Sequence, residues 1–152
     1  MNDETDITIR AFTANDIDPA LAFWTSIEGL GLAESDSRAG IEAFLMRNPG
    51  YSAIASMPDT GIVGAVLCGH NGRAAHLYHL AVSRQHRKRG VATSLLNFCF
   101  VRLAEAQIPR CNIFVYAAND AGNAFWRRSG WVDPADWKVM QKRIDATSPH
   151  IR

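Results

Sequence analysis

The sequence predicts an α/β fold of the α+β type: a central mixed sheet flanked by helices, in one domain over residues 6–145. Three observations predict it. First, the chain has 152 residues, 47 % hydrophobic and 20 % charged, enough to bury one core and too apolar for disorder. Second, its patterned segments run β-α-α-β-β-β-α-β-α-β. Third, a strand, a long helix and another apolar strand follow one another between residues 75 and 117. Such a crossover makes the two strands parallel and adjacent.

The elements follow from pattern and punctuation. "ITIRAF" (7–12) alternates apolar and polar residues and is a strand. Asn15 or Asp16 can cap a helix through "PALAFWTSIEG", with Pro19 in its first turn. Ser35 or Asp36 can cap a second helix, "SRAGIEAFLMR", which stops before Asn48-Pro49-Gly50. "YSAIASM" and "IVGAVLCGH", joined by the turn "PDTG", form a hairpin. "AAHLYHLAV" (74–82) is the next strand. From Gly90 to about Ala106, the residues Ala92, Leu95, Leu96, Cys99 and Leu103 form one apolar helical stripe. "CNIFVYA" (111–117) is an apolar strand of the buried kind. "NDAGNAFWRRSG" is a short helix, with Asn119 at its start and Gly130 at its end. "WKVMQKRI" (137–144) is a final strand, and residues 146–152 are a loose tail.

Composition excludes several classes. No apolar run approaches the roughly 18 residues of a membrane span. The acidic, polar start "MNDETDITIR" is the reverse of a signal peptide, so a cytoplasmic protein is expected. Cys68, Cys99 and Cys111 sit among apolar neighbours as free thiols, and no Cys or His pair has zinc-ligand spacing, so no metal is expected. Net charge is +1 but unevenly spread. Residues 1–60 hold ten Asp and Glu against three Arg, a net of −7. Residues 61–152 hold thirteen Lys and Arg against five Asp and Glu, a net of +8. A nucleic-acid binder usually carries its basic excess over the whole domain, with aromatic interleaving that is missing here. The split suggests two ligands of opposite sign.

The positive charge peaks in "SRQHRKRGVATSLL" (83–96), between a strand and a helix. A helix N-terminus offers unpaired N–H groups and the positive end of the macrodipole. Gly90 lets backbone approach a phosphate closely, Ala92 is small, and Arg87, Lys88 and Arg89 add charge. Neither G-x-x-x-x-G-K-[ST] nor G-x-G-x-x-G is present. The pattern is R-x-x-G-x-A, which resembles the [QR]-x-x-G-x-[GA] loop of the GCN5-related N-acetyltransferases (GNAT). Downstream, Asn119, Trp126 and Gly130-Trp131 resemble that family's second signature. The element order from residue 7 to about residue 144 agrees as well.

The resemblance implies a GNAT-type fold and an N-acetyltransferase in which a primary amine attacks the thioester of acetyl-CoA directly, in a ternary complex. It implies that Leu80, Ala81 and Val82 offer main-chain groups to the pantetheine arm and thioester. The loop Arg87, Lys88, Arg89, Gly90, Val91, Ala92 and Thr93 would hold the pyrophosphate, and Asn119 and Trp126 would complete the cofactor site. The sequence also departs from the family. Trp126 stands where many members place a Tyr that protonates the departing thiolate, and an indole cannot deliver a proton at neutral pH; Tyr116 or solvent would substitute. Phe114 stands where acetyltransferases of ribosomal-protein N-termini carry a Glu base, which favours a small-molecule acceptor.

Catalytic candidates are Tyr78, His79 and Trp126, with His70 and His76 more remote; the ordinary pKa of a histidine suits base chemistry at neutral pH. Alternation puts Tyr78, Leu80 and Val82 on one face of their strand, and His79 and Ala81 on the other. Glu28, Glu34, Asp36 and Glu42 lie where the family receives its acceptor, so a cationic amine could be steered there. No nucleic-acid or membrane partner is expected, and the resemblance leaves a homodimer open. The alternatives are a CoA-binding sensor without turnover, and an acetyltransferase for protein lysines or N-termini.

Overall fold

A computed structural model describes residues 6–144. The expected tail, 146–152, lies outside the described residues. The chain divides into two compact units, Met1–Phe114 and Val115–Arg152.

The first unit is a five-stranded sheet in the order β1 (Thr8–Ala11), β2 (Ala53–Met57), β3 (Gly61–His70), β4 (Ala75–Val82), β5 (Cys111–Ile113). Every neighbouring pair is antiparallel except β4 and β5. Those two run parallel, with Ala75 opposite Cys111 and Leu77 opposite Ile113, as the crossover requires. One sheet face carries α1 (Ile17–Ser26) and α2 (Arg38–Arg47). There Phe12, Ile17, Ala20, Trp24 and Ile41 pack with Ile54, Ala65, Leu67 and Ala81 in one buried cluster.

The other face carries α3 (Val91–Glu105). Its buried stripe is Val91, Leu95, Leu96, Cys99 and Leu103, so the stripe begins at Val91 and the expected Ala92 is only half-buried. Gly64 sets the fit. A Cβ on it would lie 3.1 Å from Leu95 Cδ1 and 3.3 Å from Val91 Cγ1, so its absence lets the helix close on the sheet.

Asp16 stands at the N-cap of α1, one of the two positions expected, whereas the cap of α2 differs. Ser37, not Ser35 or Asp36, caps α2, its hydroxyl accepting the Gly40 N–H at 3.0 Å. Asp36 is thereby released for other work. Before α1, Asp16 closes a short 3-10 turn, taking the Thr13 N–H at 2.9 Å and both arms of Arg10 at 2.7 and 2.8 Å. Burial alone would push the Asp16 carboxyl up. The Arg10 hydrogen bonds, the Thr13 N–H and the Arg10 charge outweigh it and hold the group below its ordinary value.

Two strand expectations need correction. The apolar run 111–117 is strand only over Cys111–Ile113; beyond it Phe114 and Tyr116 are exposed. Residues 137–144 form no strand, and Trp137, Val139, Met140 and Ile144 are exposed. Alternation supplies a face, but a strand also needs an edge to pair with, and no residue of this stretch pairs with another strand. The second unit's regular element is α4 (Asp120–Arg128). No helix among the described residues is long and apolar enough to cross a membrane.

Candidate active site

The site is built at an irregularity in β4. Ala81 lies opposite Ala65, and Tyr78 opposite Leu67, so His79 and Leu80 together face the single residue Val66. This is a β-bulge, and His79 carries the left-handed backbone that goes with it, φ +57°. A non-glycine residue seldom adopts that conformation unless its surroundings hold it there. Trp24 of α1 supplies the hold. Its indole is fully buried and needs a partner, and its Nε1–H donates to the His79 carbonyl at 2.9 Å.

The bulge overturns the expected alternation. Tyr78 meets Phe44 of α2 edge-on at 5.9 Å between ring centroids, and His79 meets Trp24 at 5.3 Å. Ala81 belongs to the same core cluster as Trp24. Tyr78, His79 and Ala81 therefore all face the α1–α2 side. One extra residue has turned two consecutive side chains to the same face.

His79 is paired. Its Nε2 lies 2.8 Å from Asp36 Oδ1, with the two side chains only 16 % and 9 % exposed. The other oxygen, Oδ2, accepts the Ala33 N–H at 2.7 Å. A carboxylate only accepts, so this hydrogen bond places a ring proton on Nε2 and, whenever the ring is neutral, its lone pair on Nδ1. Asp36 thus fixes the tautomer and leaves one nitrogen able to take a proton. Expected as an open steering carboxylate, it is instead spent on His79. No local pattern announces a pairing across 43 positions.

The other histidines have structural work. His70 accepts the Gly72 N–H on Nδ1 at 2.9 Å, and its Nε2 lies 3.2 Å from the Tyr51 hydroxyl, fixing the β3–β4 turn. His76 lies beside Tyr78 and Phe114 in a triangle of rings, their centroids 5.9 to 6.4 Å apart. Burial pushes the Tyr78 phenol up from its ordinary value, so it stays protonated at neutral pH.

Below the bulge, β4 runs into the basic loop. Ser83 N–H donates to the Val63 carbonyl at 2.8 Å and keeps the chain on the sheet to that point. A 3-10 turn, Arg84–His86, follows, with the Ser83 hydroxyl on His86 Nδ1. Arg87 Nε donates to the Val82 carbonyl at 2.9 Å, folding the loop back and leaving its terminal nitrogens for an anion. Lys88 and Gly90 are both left-handed, φ +62° and +80°. Arg87 before them is extended, φ −74° and ψ 159°, so the chain turns sharply at Lys88 and again at Gly90, where the uncapped helix begins. No side chain caps α3 at Gly90, and a Cβ built there would meet nothing within 4 Å. The first-turn N–H groups of Val91, Ala92 and Thr93 are thus uncapped, with Arg87 and Lys88 close by in sequence. This donor set fits a pyrophosphate.

The second unit, taken by itself, holds Asn119 and Trp126. The Asn119 side chain caps α4, accepting the Gly122 N–H at 3.0 Å. Asn123 Nδ2 donates to the Asn119 carbonyl at 2.8 Å and the Tyr116 carbonyl at 3.2 Å, securing the turn before the helix. Gly130, φ +90°, ends it, with Trp131 N–H returning to the Trp126 carbonyl at 3.0 Å. Trp126 is half-buried against Phe125 and Trp131, at 5.1 and 4.9 Å. Its ring is packed, and its indole is no proton donor.

Among the described residues, no three His, Cys, Asp or Glu side chains gather as a metal site. The neighbouring Cys99 and burial push the Cys68 thiol up, and burial raises Cys111 to about 12. These thiols stay protonated and act as small apolar groups.

The family model described as "Acetyltransferase (GNAT) family" matches residues 16–131. The chain belongs to the GNAT acetyltransferases. The match runs from the Asp16 turn through the bulge and the basic loop to Trp131, across the boundary between the two units. A protein named "Acetyltransferase" from Yersinia pestis (strain Pestoides F) is 31 % identical over 136 residues, 90 % of this chain and 94 % of that one. Among solved structures, a GNAT-family acetyltransferase from Staphylococcus aureus Mu50 has a TM-score of 0.74 at 16 % identity, covering 91 % of this chain and 94 % of that one. Ard1 from Thermoplasma volcanium has a TM-score of 0.72 at 20 % identity, covering 84 % and 83 %. This GNAT protein is accordingly an acetyl-CoA-dependent N-acetyltransferase.

Proposed function

We propose that this enzyme acetylates a primary amine of a small molecule by direct attack in a ternary complex, with His79 as the general base. The observation that carries the reading is the His79–Asp36 pair, 2.8 Å long, at the bulge of the strand that leads into the anion loop. Acetyl-CoA supplies the activated acyl group. The chain's own part is to bind, orient and move one proton.

An ammonium has no lone pair, so the acceptor must lose a proton before it attacks. His79 Nδ1 takes it, while Asp36 accepts from Nε2 and keeps the ring in that tautomer. General-base catalysis of this kind contributes roughly 10²–10⁴ in rate. Backbone groups of Leu80, Ala81 and Val82 would orient the pantetheine and thioester, and the Arg87–Thr93 loop would hold the pyrophosphate. Asn119 and Trp126 would serve the cofactor from α4, with Trp126 donating at most a hydrogen bond.

The acidic N-terminal half supports entry of a protonated amine through its summed field rather than through one open carboxylate. Asp18 and Glu42 lie on Arg38, and Glu28 lies on Arg84. Residues 6–145 are proposed to act as one catalytic domain, a reading supported by a family match over residues 16–131.

The test is calorimetric titration of wild type and Gly90→Asp with acetyl-CoA and CoA, followed by thiol release against a panel of amines. Wild type is expected to bind both and to release thiol with at least one amine; folded Gly90→Asp is expected to bind neither. Binding without thiol release from any amine or peptide would mark a sensor rather than an enzyme.

A further inference from the structure

Beside His79, the α1–α2 face of the sheet carries a set of aromatic rings that the chemistry so far does not use. His76 and Tyr78 of β4 lie with Phe114, which follows β5. The His76 and Phe114 rings are 5.9 Å apart and within 15° of parallel. His76 and Tyr78 are 6.3 Å apart and within 19°, and Tyr78 and Phe114 are 6.4 Å apart at 31°. Phe44 of α2 closes one side, edge-on to Tyr78. The fit of Phe44 is built in: Gly69 lies opposite His76, and a Cβ on it would sit 2.7 Å from Phe44 Cζ.

These rings are not a finished core. Phe114 is 55 % exposed and Tyr78 36 %. A cluster of large rings left open to water is the mark of a binding surface. The four rings that form it, Phe44, His76, Tyr78 and Phe114, bring no carboxylate to hold a polycation. Asp16, Asp18, Glu28, Asp36 and Glu42 each already lie on a basic partner. Three rings within 31° of one another offer flat faces on which a further planar ring packs closely. A puckered body of the same size touches them at fewer points. The surface is continuous with the base, because the bulge turns Tyr78 and His79 to the same face.

We propose that the acceptor is an arylalkylamine-type molecule: a primary amine on a short aliphatic link to a planar aromatic ring, the ring resting on Tyr78, Phe114 and His76 while the amine meets His79. This rests on the reading of His79 as the base at the acetyl-transfer site. Phe114, which departs from the family's acidic position, then becomes a specificity residue.

The test uses the full chain and three probe amines: 2-phenylethylamine, 2-cyclohexylethylamine of equal size but puckered, and spermidine as polycation. Thiol release is measured for wild type, Phe114→Leu and Tyr78→Leu, the first chosen because an exposed ring is replaced without touching the core. Wild type is expected to favour phenylethylamine over cyclohexylethylamine by about tenfold in kcat/KM, mostly through KM, and each variant to bring the ratio near one. Ligand-observed NMR with CoA present is run alongside. Saturation is expected to pass from protein to the phenyl protons in wild type and to drop in Phe114→Leu. Turnover with equal kcat/KM for the two rings, or a preference for spermidine, would overturn the inference and leave the enzyme reading intact. Phenyl saturation transfer without turnover of any amine would sink the enzyme reading and keep the ring site. Neither signal would overturn both.

Discussion

Replacing Asp36 by Asn tests the pairing that orients His79. Asp36 accepts two donors at once, His79 Nε2–H at 2.8 Å and the Ala33 N–H at 2.7 Å. An Asn has one acceptor oxygen. Whichever way its amide turns, an NH₂ group faces one of the two donors. The Ala33 end is exposed to water and the His79 end is not, so the amide settles with its oxygen on the histidine. The ring keeps its tautomer but loses the charge on its partner. A hydrogen bond to a charged group contributes roughly 1.5–3 kcal/mol. If that support is felt in the transition state, where His79 becomes cationic, kcat falls about tenfold to about 150-fold. Steady-state thiol release gives kcat and both KM values, and the nitrogen shifts of His79 report which ring nitrogen is protonated. The KM for acetyl-CoA is expected to stay unchanged. A variant within twofold of wild type in kcat, yet less stable, would show that Asp36 only holds the α2 turn and would refute the reasoning.

Other expectations are narrower. In Gly40→Ala the new Cβ runs into the Ser35 carbonyl oxygen, so the turn bearing Asp36 must move; kcat is expected to fall with acetyl-CoA binding intact, as calorimetry can check. Leu95→Ala empties a fully buried position between α3 and Gly64 and is expected to cost about 2–5 kcal/mol in denaturant unfolding. Trp24→Phe leaves the His79 carbonyl without its 2.9 Å donor and is expected to cost about 1–3 kcal/mol and to lower kcat by loosening the bulge. Asp16 has a depressed folded-state pKa, so its stabilisation is complete above the ordinary carboxyl value and drains as pH falls through the folded one. The stability gap between wild type and Asp16→Asn is therefore expected at neutral pH and to shrink below about pH 4; a gap independent of pH would contradict this.

Connectivity was legible in the sequence. The apolar stripe from Leu95 to Leu103 reports one buried helix face, and a helix between two strands makes β4 and β5 parallel. Gly90 beside three cations marks the loop as a candidate anion site, because like charges crowded together repel one another. The bulge was not legible. A period-two pattern is blind to a single extra residue, and that residue reverses which side chains share a face with His79. Asp36 reads locally as a helix cap, since carboxylates favour that position; only the fold brings it to His79. The segment 137–144 shows the converse, because a side-chain pattern cannot report whether a pairing edge is at hand. Phe114 was visible as a departure from the family, but its ring partners come from β4, a strand it reaches only through the crossover.

The most direct test of the account is thiol release by His79→Gln at saturating acetyl-CoA, with an amine that wild type acetylates. His79 as general base predicts acetyl-CoA binding equal to wild type and a kcat lower by about a hundredfold or more. A His79→Gln enzyme that binds acetyl-CoA and turns over at the wild-type rate would contradict the claim that this residue deprotonates the acceptor.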